Sequence, residues 1–380
     1  MVSRLFLRSS TATGISFTTF QLIGTFIQNQ FRKFQLDIME SAMISLVIPT
    51  SESSTSFSRN MEEMAKYYFN IGGKLFRPTV SLLMARACNQ AFYFIFCSIS
   101  RKVLKILQNM PTVELGRETV TLNQYRIALI SEMIHTASLV HDDVIDKADM
   151  RRGKPTVNAL WGNKMAVLVG DFILARATQV LCSIGRSNVI SVMSTIIEDL
   201  VRGEFMQMIG NDELDAAKRF DKYMAANYSK TASLFANSCK SVAILADVQE
   251  SISLAAFNYG RSLGLAFQLV DDLLDFISTP DTAGKQTAAD LKSGIATAPI
   301  LFAAEEYPQL NLFISRQFSE QNDVNQAREI VGNSYGLQKT RKLAQNYAYD
   351  AIKAINEFPN NDGIRDYLVQ LALNQIERKS

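Results

Sequence analysis

The chain has 380 residues, 47% of them hydrophobic, with a net charge of only +2. That is enough apolar material for a large core, and the near-neutral balance points to neither nucleic acid nor an acidic partner. Four cysteines (Cys88, Cys97, Cys182, Cys239) show no metal-ligand spacing and read as buried core thiols. The only two histidines are His135 and His141, which excludes a His-based zinc site or a Ser-His-Asp triad elsewhere.

Residues 1–36 are basic (Arg4, Arg8, Arg32, Lys33), rich in Ser and Thr, and free of acids, the pattern of a mitochondrial transit peptide. Ser9–Phe31 carries no charge, yet its Ser, Thr, Gln and Asn content makes it too polar to span a membrane. Residues 37–58, ending in SESSTSFS, read as a linker, and a folded domain is expected over 59–380. From Met61 onward helical spacing dominates and no strand alternation is sustained. Asn158–Leu181, Asn188–Met208, Tyr223–Leu245, Ser251–Ser278 and Ala296–Glu306 read as apolar-rich helices. The expected fold is a single all-α bundle of many helices around a deep, elongated cavity.

Near the start of this domain, Gly72-Gly73-Lys74-Leu75-Phe76-Arg77-Pro78 sets two cations three residues apart beside glycines that let backbone approach a ligand. An Arg fork and a Lys point charge suit phosphate, although an ordinary solvated loop has the same look. Residues 91–120 break the helical pattern with an aromatic run, AFYFIFCSIS, followed by RKVLKILQ, and read as an atypical insertion or a doubtful segment.

The sharpest signal follows. Ile127–Ile145 is a mostly apolar helix that ends in Asp142, Asp143 and Asp146, and Gly264–Ile277 repeats the arrangement with Gln268, Asp271, Asp272 and Asp275. One such cluster is explained by a salt bridge. Two clusters on apolar helices ask for more cation than nearby side chains supply, and Mg²⁺ held by carboxylates and substrate phosphate is the economical partner. Arg151 and Arg152 follow the first cluster by a few residues, where phosphate would sit. Lys230-Thr231 opens an apolar helix, a poor place for a lone cation unless an anion is bound nearby. Glu204 and Gln207 are polar positions on another apolar helix, read as satisfied core groups or cavity wall.

In order, GGKLFRP, DDVID, RRGKPT, KTASLF and DDLLD make the chain resemble the trans-polyprenyl diphosphate synthases, and among these the mitochondrial long-chain (solanesyl- or decaprenyl-forming) catalytic subunits of ubiquinone biosynthesis. The resemblance covers about Met61 to the C-terminus. It implies a prenyltransferase that condenses an allylic diphosphate (farnesyl or geranylgeranyl) with successive isopentenyl diphosphates. It assigns Lys74, Arg77, His135 and Arg152 to isopentenyl diphosphate, and Arg151, Lys230, Thr231, Gln268 and Lys285 to the allylic diphosphate. The six aspartates become ligands of Mg²⁺, three ions per site, and with Lys230 they form the catalytic set. A further lysine frequent in shorter-chain relatives is replaced here by Gly294–Thr297.

Ala137 and Ser138, one turn before Asp142, are small where farnesyl-forming relatives carry aromatics, which implies a long product. The resemblance also implies a homodimer or a heteromer with a non-catalytic subunit, in the mitochondrial matrix, with no transmembrane segment and at most peripheral membrane contact. A terpene cyclase is disfavoured because a second diphosphate site is present. A non-catalytic scaffold is disfavoured because no motif is lost; a subunit active only in a heteromer and a geranylgeranyl-type, shorter-chain synthase stay the alternatives.

Overall fold

The computed structural model describes residues 56–70, 75–104, 120–208, 215–277, 288–360 and 363–378. The chain divides into two units, 1–70 and 71–380. The described part of the first is one helix, α1 (Ser56–Asn70), with Met61, Met64, Ala65 and Tyr68 at the spacing of a single helical face. The expected transit peptide lies outside the described residues, as does the linker up to residue 55.

Among the described residues, the regular structure of the second unit is helical apart from one short hairpin. Its elements are α2 (Phe76–Leu104), α3 (Leu122–Ile145), β1 (Met150–Arg151), β2 (Lys154–Pro155), α4 (Val157–Trp161), α5 (Asn163–Ser183) and α6 (Ser187–Met208). After these come α7 (Ala216–Asn227), a π turn (Tyr228–Ala232), α8 (Ser233–Leu245), α9 (Glu250–Ile277) and α10 (Ala289–Lys292). The chain finishes with α11 (Ala298–Glu306), α12 (Leu310–Ser315), α13 (Asp323–Asn333), α14 (Gly336–Ala354) and α15 (Ile364–Ile376). Helix α9 lies along α8 on one side and α14 on the other, while α3 packs on α5, α2 and α8.

Sequence explains the packing. On α3, Ile127, Ile130, Met133 and Ile134 are fully buried at helical spacing. The helix opens with a capping box in which the Thr121 side chain accepts from the Gln124 N–H and Gln124 answers to the Thr121 backbone. Buried Gln124 also exchanges hydrogen bonds with Asn89 of α2 at 2.8 and 2.9 Å and donates to the Val242 carbonyl of α8 at 3.0 Å. That one side chain ties three helices. On α9, Gly260 and Gly264 face α8 one turn apart, and the backbones there come too close for any side chain.

Three expectations need correction. Asn158–Leu181 is not one helix: Gly162, at φ +83°, separates α4 from α5. The 91–120 segment begins as a continuation of α2 to Leu104, and 105–119 lie outside the described residues. Cys182 is exposed, unlike buried Cys88 and Cys239. Helix α5 is also long and apolar enough to cross a membrane by length and composition. One of its faces packs on α3, where Gly170 leaves room for the His141 ring, while Val167 and Leu168 stay exposed.

A Cβ at Gly264 would lie 2.6 Å from the Ala232 Cα, a backbone atom with no rotamer to yield. Gly264→Ala is therefore expected to lower stability by about 1–3 kcal/mol in urea unfolding. Gly332→Ala, which meets open space, should leave the midpoint unchanged or raise it.

Candidate active site

Both acid trios sit at the C-terminal ends of their helices, where the helix dipole already disfavours negative charge. In each trio the first and last aspartates, four residues apart, share a face and the second is turned inward. Asp143 is 1% exposed and Asp272 is 2% exposed, whereas Asp142, Asp146, Asp271 and Asp275 all keep solvent contact. Each inward aspartate meets protein donors. Arg151 Nε donates to Asp143 Oδ1 at 2.7 Å. Asp272 accepts from the Tyr223 hydroxyl on one oxygen and from Gln268 Nε2 at 2.9 Å on the other.

The hairpin after α3 shows why RRGKPT has its spacing. Arg151 pairs with Lys154 and Met150 with Pro155, so Arg152 and Gly153 form the two-residue turn. Their φ values of +51° and +75° are those of a type I′ turn, which Gly adopts freely and Arg only under strain. Thr156 closes the loop: its hydroxyl donates to the Ala148 carbonyl at 2.7 Å and accepts from the Ala159 N–H at the start of α4.

Four of the residues expected to hold diphosphate converge here. His135, on α3, sits among Arg77, Arg152 and Arg151; burial and these three cations hold its pKa well below the usual range, so it is neutral at pH 7. Burial lowers Arg77 to about 10, with Glu132 opposing and Arg152 adding to the shift. The Arg77 guanidinium stacks 5.2 Å from the Phe235 ring centroid and 5.8 Å from that of Phe267, and its buried Nε has no hydrogen-bond partner. Arg151 is paired with buried Asp143, and Arg77 and Arg152 face buried Glu132, whose own carboxyl burial pushes up. Such a cluster is built for an anion.

Between the trios lies the π turn. Lys230 Nζ meets Glu204 Oε2 at 2.6 Å and donates to Gln207 Oε1 at 2.5 Å, both on α6. Thr231 donates to Gln268 Oε1 at 2.8 Å, and Gln268 passes the connection to Asp272. Asp142 is raised from the ordinary 3.8 to about 6, chiefly by desolvation, with Lys230 opposing and Glu204 and Asp146 adding to the shift. Asp146 moves up for the same reasons. The Lys230 ammonium thus faces three carboxylates, with a smaller offset at Asp142 and Asp146 from Arg151, and the turn that carries it is of a kind frequent at functional sites.

In the second trio, Asp271 is ion-paired with Arg378 near the C-terminus, whose guanidinium also stacks 4.5 Å over Phe267. Asp275 accepts from the Ala289 and Asp290 N–H groups at 3.0 and 3.3 Å, capping α10. Ala137 is fully buried and Ser138 partly so. Lys74 and Lys285 lie outside the described residues.

Lys230 does not open a helix, as the sequence suggested, but sits inside a continuous helical rod. Reading the sequence left Glu132, Tyr223 and Arg378 without roles. Glu132 was findable as a second polar residue one turn before His135 on an apolar helix. Nothing in the local sequence marks the other two.

The Polyprenyl synthetase family profile matches residues 58–331. The chain belongs to that family. It is 46% identical to the human all trans-polyprenyl-diphosphate synthase PDSS1 over 88% of this chain and 73% of that protein. It is 46% identical to the mitochondrial solanesyl-diphosphate synthase 1 of Oryza sativa, covering 78% and 66% of the two chains. A polyprenyl synthase from Caulobacter crescentus, solved with calcium and isoprenyl diphosphate, superposes with TM-score 0.72 at 28% identity over 92% and 96%. As a polyprenyl synthetase the protein is a prenyltransferase whose substrates are isoprenoid diphosphates, and the family works with a divalent metal.

The residues present fit such an ion by donor type. They offer hard carboxylate oxygens, and the surplus negative charge at Asp142, Asp146 and Glu204 calls for a cation. Among the described residues no three acidic, His or Cys side chains converge enough to hold an ion alone, so water and phosphate must complete the coordination.

A carboxyl raised on folding contributes stability below its unfolded pKa and loses it as pH rises through the folded one. For Asp142 that window runs from 3.8 to about 6. Neutral His135 acts in the opposite sense, so the contribution is isolated by comparison with Asp142→Asn. In metal-free protein, the wild-type minus Asp142→Asn difference in unfolding free energy should fall by about 2 kcal/mol between pH 4 and 7. A flat difference would contradict the desolvation of this carboxylate.

Proposed function

We propose that this enzyme extends an allylic diphosphate, farnesyl or geranylgeranyl, by successive isopentenyl units to a long all-trans polyprenyl diphosphate for the ubiquinone side chain, in the mitochondrial matrix. The observation that carries this reading is the convergence of Arg77, Arg151 and Arg152 around neutral His135, beside a carboxylate set short of cation. That arrangement offers one site for a bare diphosphate and another for a metal-bound one. The mitochondrial and long-chain names of the relatives support the destination and the length.

Roles follow from geometry and resemblance together. Arg77, His135 and Arg152, with Lys74, hold isopentenyl diphosphate; His135, being neutral, adds hydrogen bonds without further charge repulsion. Arg151, Lys230, Thr231, Gln268 and Lys285 hold the allylic diphosphate. The i, i+4 pairs Asp142/Asp146 and Asp271/Asp275 are the outward metal ligands, while Asp143 orients Arg151 and Asp272 orients Gln268. Mg²⁺, when bound, would neutralise the leaving diphosphate. The allylic C–O bond breaks with its electron pair leaving on diphosphate, a charge separation that Arg151 and Lys230 stabilise. The C3–C4 double bond of isopentenyl diphosphate then attacks the allylic cation, forming the new C–C bond. A C2 proton leaves to the released diphosphate. Placing the two diphosphates on separate cation sets fixes the reacting carbons relative to one another.

The growing chain is proposed to run down α3 from Asp142, past Ser138. Ser138→Phe should shorten the product, resolved by reversed-phase chromatography of an assay with farnesyl diphosphate, labelled isopentenyl diphosphate and Mg²⁺. An unchanged length distribution would refute this path; a wild-type product of four units would favour the geranylgeranyl-type alternative. Ala137→Phe is the poorer test, because the fully enclosed Ala137 would first suffer overpacking.

Arg378 is the cation paired with Asp271, where the proposal puts a metal ion. Arg378→Ala should therefore tighten Mg²⁺ binding several-fold in titration calorimetry, whereas equal or weaker binding would mean that the pair does not compete with metal. The exposed apolar residues Val167 and Leu168 of α5, with Val201, Phe205 and Met208 of α6, are proposed to meet a second subunit, either another copy or a non-catalytic partner.

A further inference from the structure

Helix α6 presents more to the π turn than the two groups that hold Lys230. Asp199, Gly203 and Gln207 recur every four residues and so share one face. Gly203 is a groove: a Cβ there would lie 2.6 Å from Lys230 Cγ and 3.0 Å from the Lys230 backbone nitrogen. Asp199, one turn earlier, is a carboxylate only 6% exposed, a costly placement that the chemistry assigned above does not use. It accepts a 2.5 Å hydrogen bond from the hydroxyl of Ser233, which is fully buried.

Ser233 is where the π turn ends. Its N–H donates to the Tyr228 carbonyl, the i to i+5 bond that defines the turn. The Ser233 hydroxyl also accepts from Asn237 Nδ2 at 3.0 Å. The first residue of the turn and the first residue after it are therefore joined by that backbone bond, and its Ser233 end is anchored on α6 by Asp199. The extra residue in a π turn rotates everything on one side of it by about 100° relative to an uninterrupted α-helix. Without the anchor, the rod from α7 to α8 is free to take the regular register, and Lys230 and Thr231 would leave Glu204, Gln207 and Gln268.

We propose that Asp199 is a positioning residue: through Ser233 it pins the π turn to α6 and so sets where Lys230 and Thr231 meet the allylic diphosphate. This rests on the assignment of Lys230 made above. The test measures KM for the allylic diphosphate and for isopentenyl diphosphate separately, on the active full-chain enzyme with Mg²⁺. The variants are Asp199→Ala, Ser233→Ala, Asp199→Asn and, as reference, Lys230→Ala.

Asp199→Ala and Ser233→Ala should each raise the allylic KM by roughly tenfold and leave the isopentenyl KM unchanged. Asp199→Asn, whose amide oxygen still accepts the Ser233 hydrogen bond, should restore the wild-type value. A general loss of packing would move both KM values together, and Asn would not rescue it; that result overturns the proposal. An unchanged allylic KM in Ser233→Ala, with Lys230→Ala raising it, overturns the proposal while leaving Lys230 in place. If Lys230→Ala itself leaves the allylic KM unchanged, the assignment of Lys230 is what fails. Should Asp199→Ala not fold, Ser233→Ala, which removes a single hydroxyl, carries the test alone.

Discussion

Three carboxylates, Asp142 and Asp146 at the C-terminal end of α3 and Glu204 on α6, crowd the Lys230 ammonium, and Arg151 offsets the two aspartates only in smaller part. The low dielectric that raises Asp142 is the same one that would make a bound cation effective there. Carboxylates crowded in this way carry a desolvation cost, which fits membership of a family that works with a divalent metal.

The arginine cluster is the complementary half. Arg77, Arg151 and Arg152 repel one another across a few side chains, and Glu132 offsets only part of that repulsion. Arg151 is steadied by Asp143 and Arg77 by the faces of Phe235 and Phe267, so the cations are held in place before any anion arrives. Excess negative charge in one place and excess positive charge in another, both built on helices, is the physical basis of the proposal that two diphosphates are held at separate sites.

Of the eight non-glycine residues at positive φ among the described residues, four flank this machinery, while Asp247, Gln317, Phe318 and Asn322 flank none of its motifs. Leu75, Lys147, Arg152 and Ala288 all adopt positive φ, and they flank respectively the basic loop, the first trio, the hairpin tip and the cap bound by Asp275. With the π turn, these are departures from regular structure that the surrounding helices over-determine, and they lie where side chains have to be aimed rather than merely packed.

By itself the sequence determined the helical class, the two acid-bearing helices, the order of the motifs and the identity of most charged groups, because helical periodicity and charge in an apolar setting are local properties. It even contained the division within each trio, since residues four apart share a face and the one between them does not. The tertiary structure decided what each charge meets. Tyr223 reaches Asp272 from 49 positions away and Arg378 reaches Asp271 from 107 away, and no local pattern encodes such pairings. It also decided that KTASLF runs from a π turn into α8 within one rod rather than starting a helix, because that turn is held by Asp199 and the groove at Gly203, which belong to another helix.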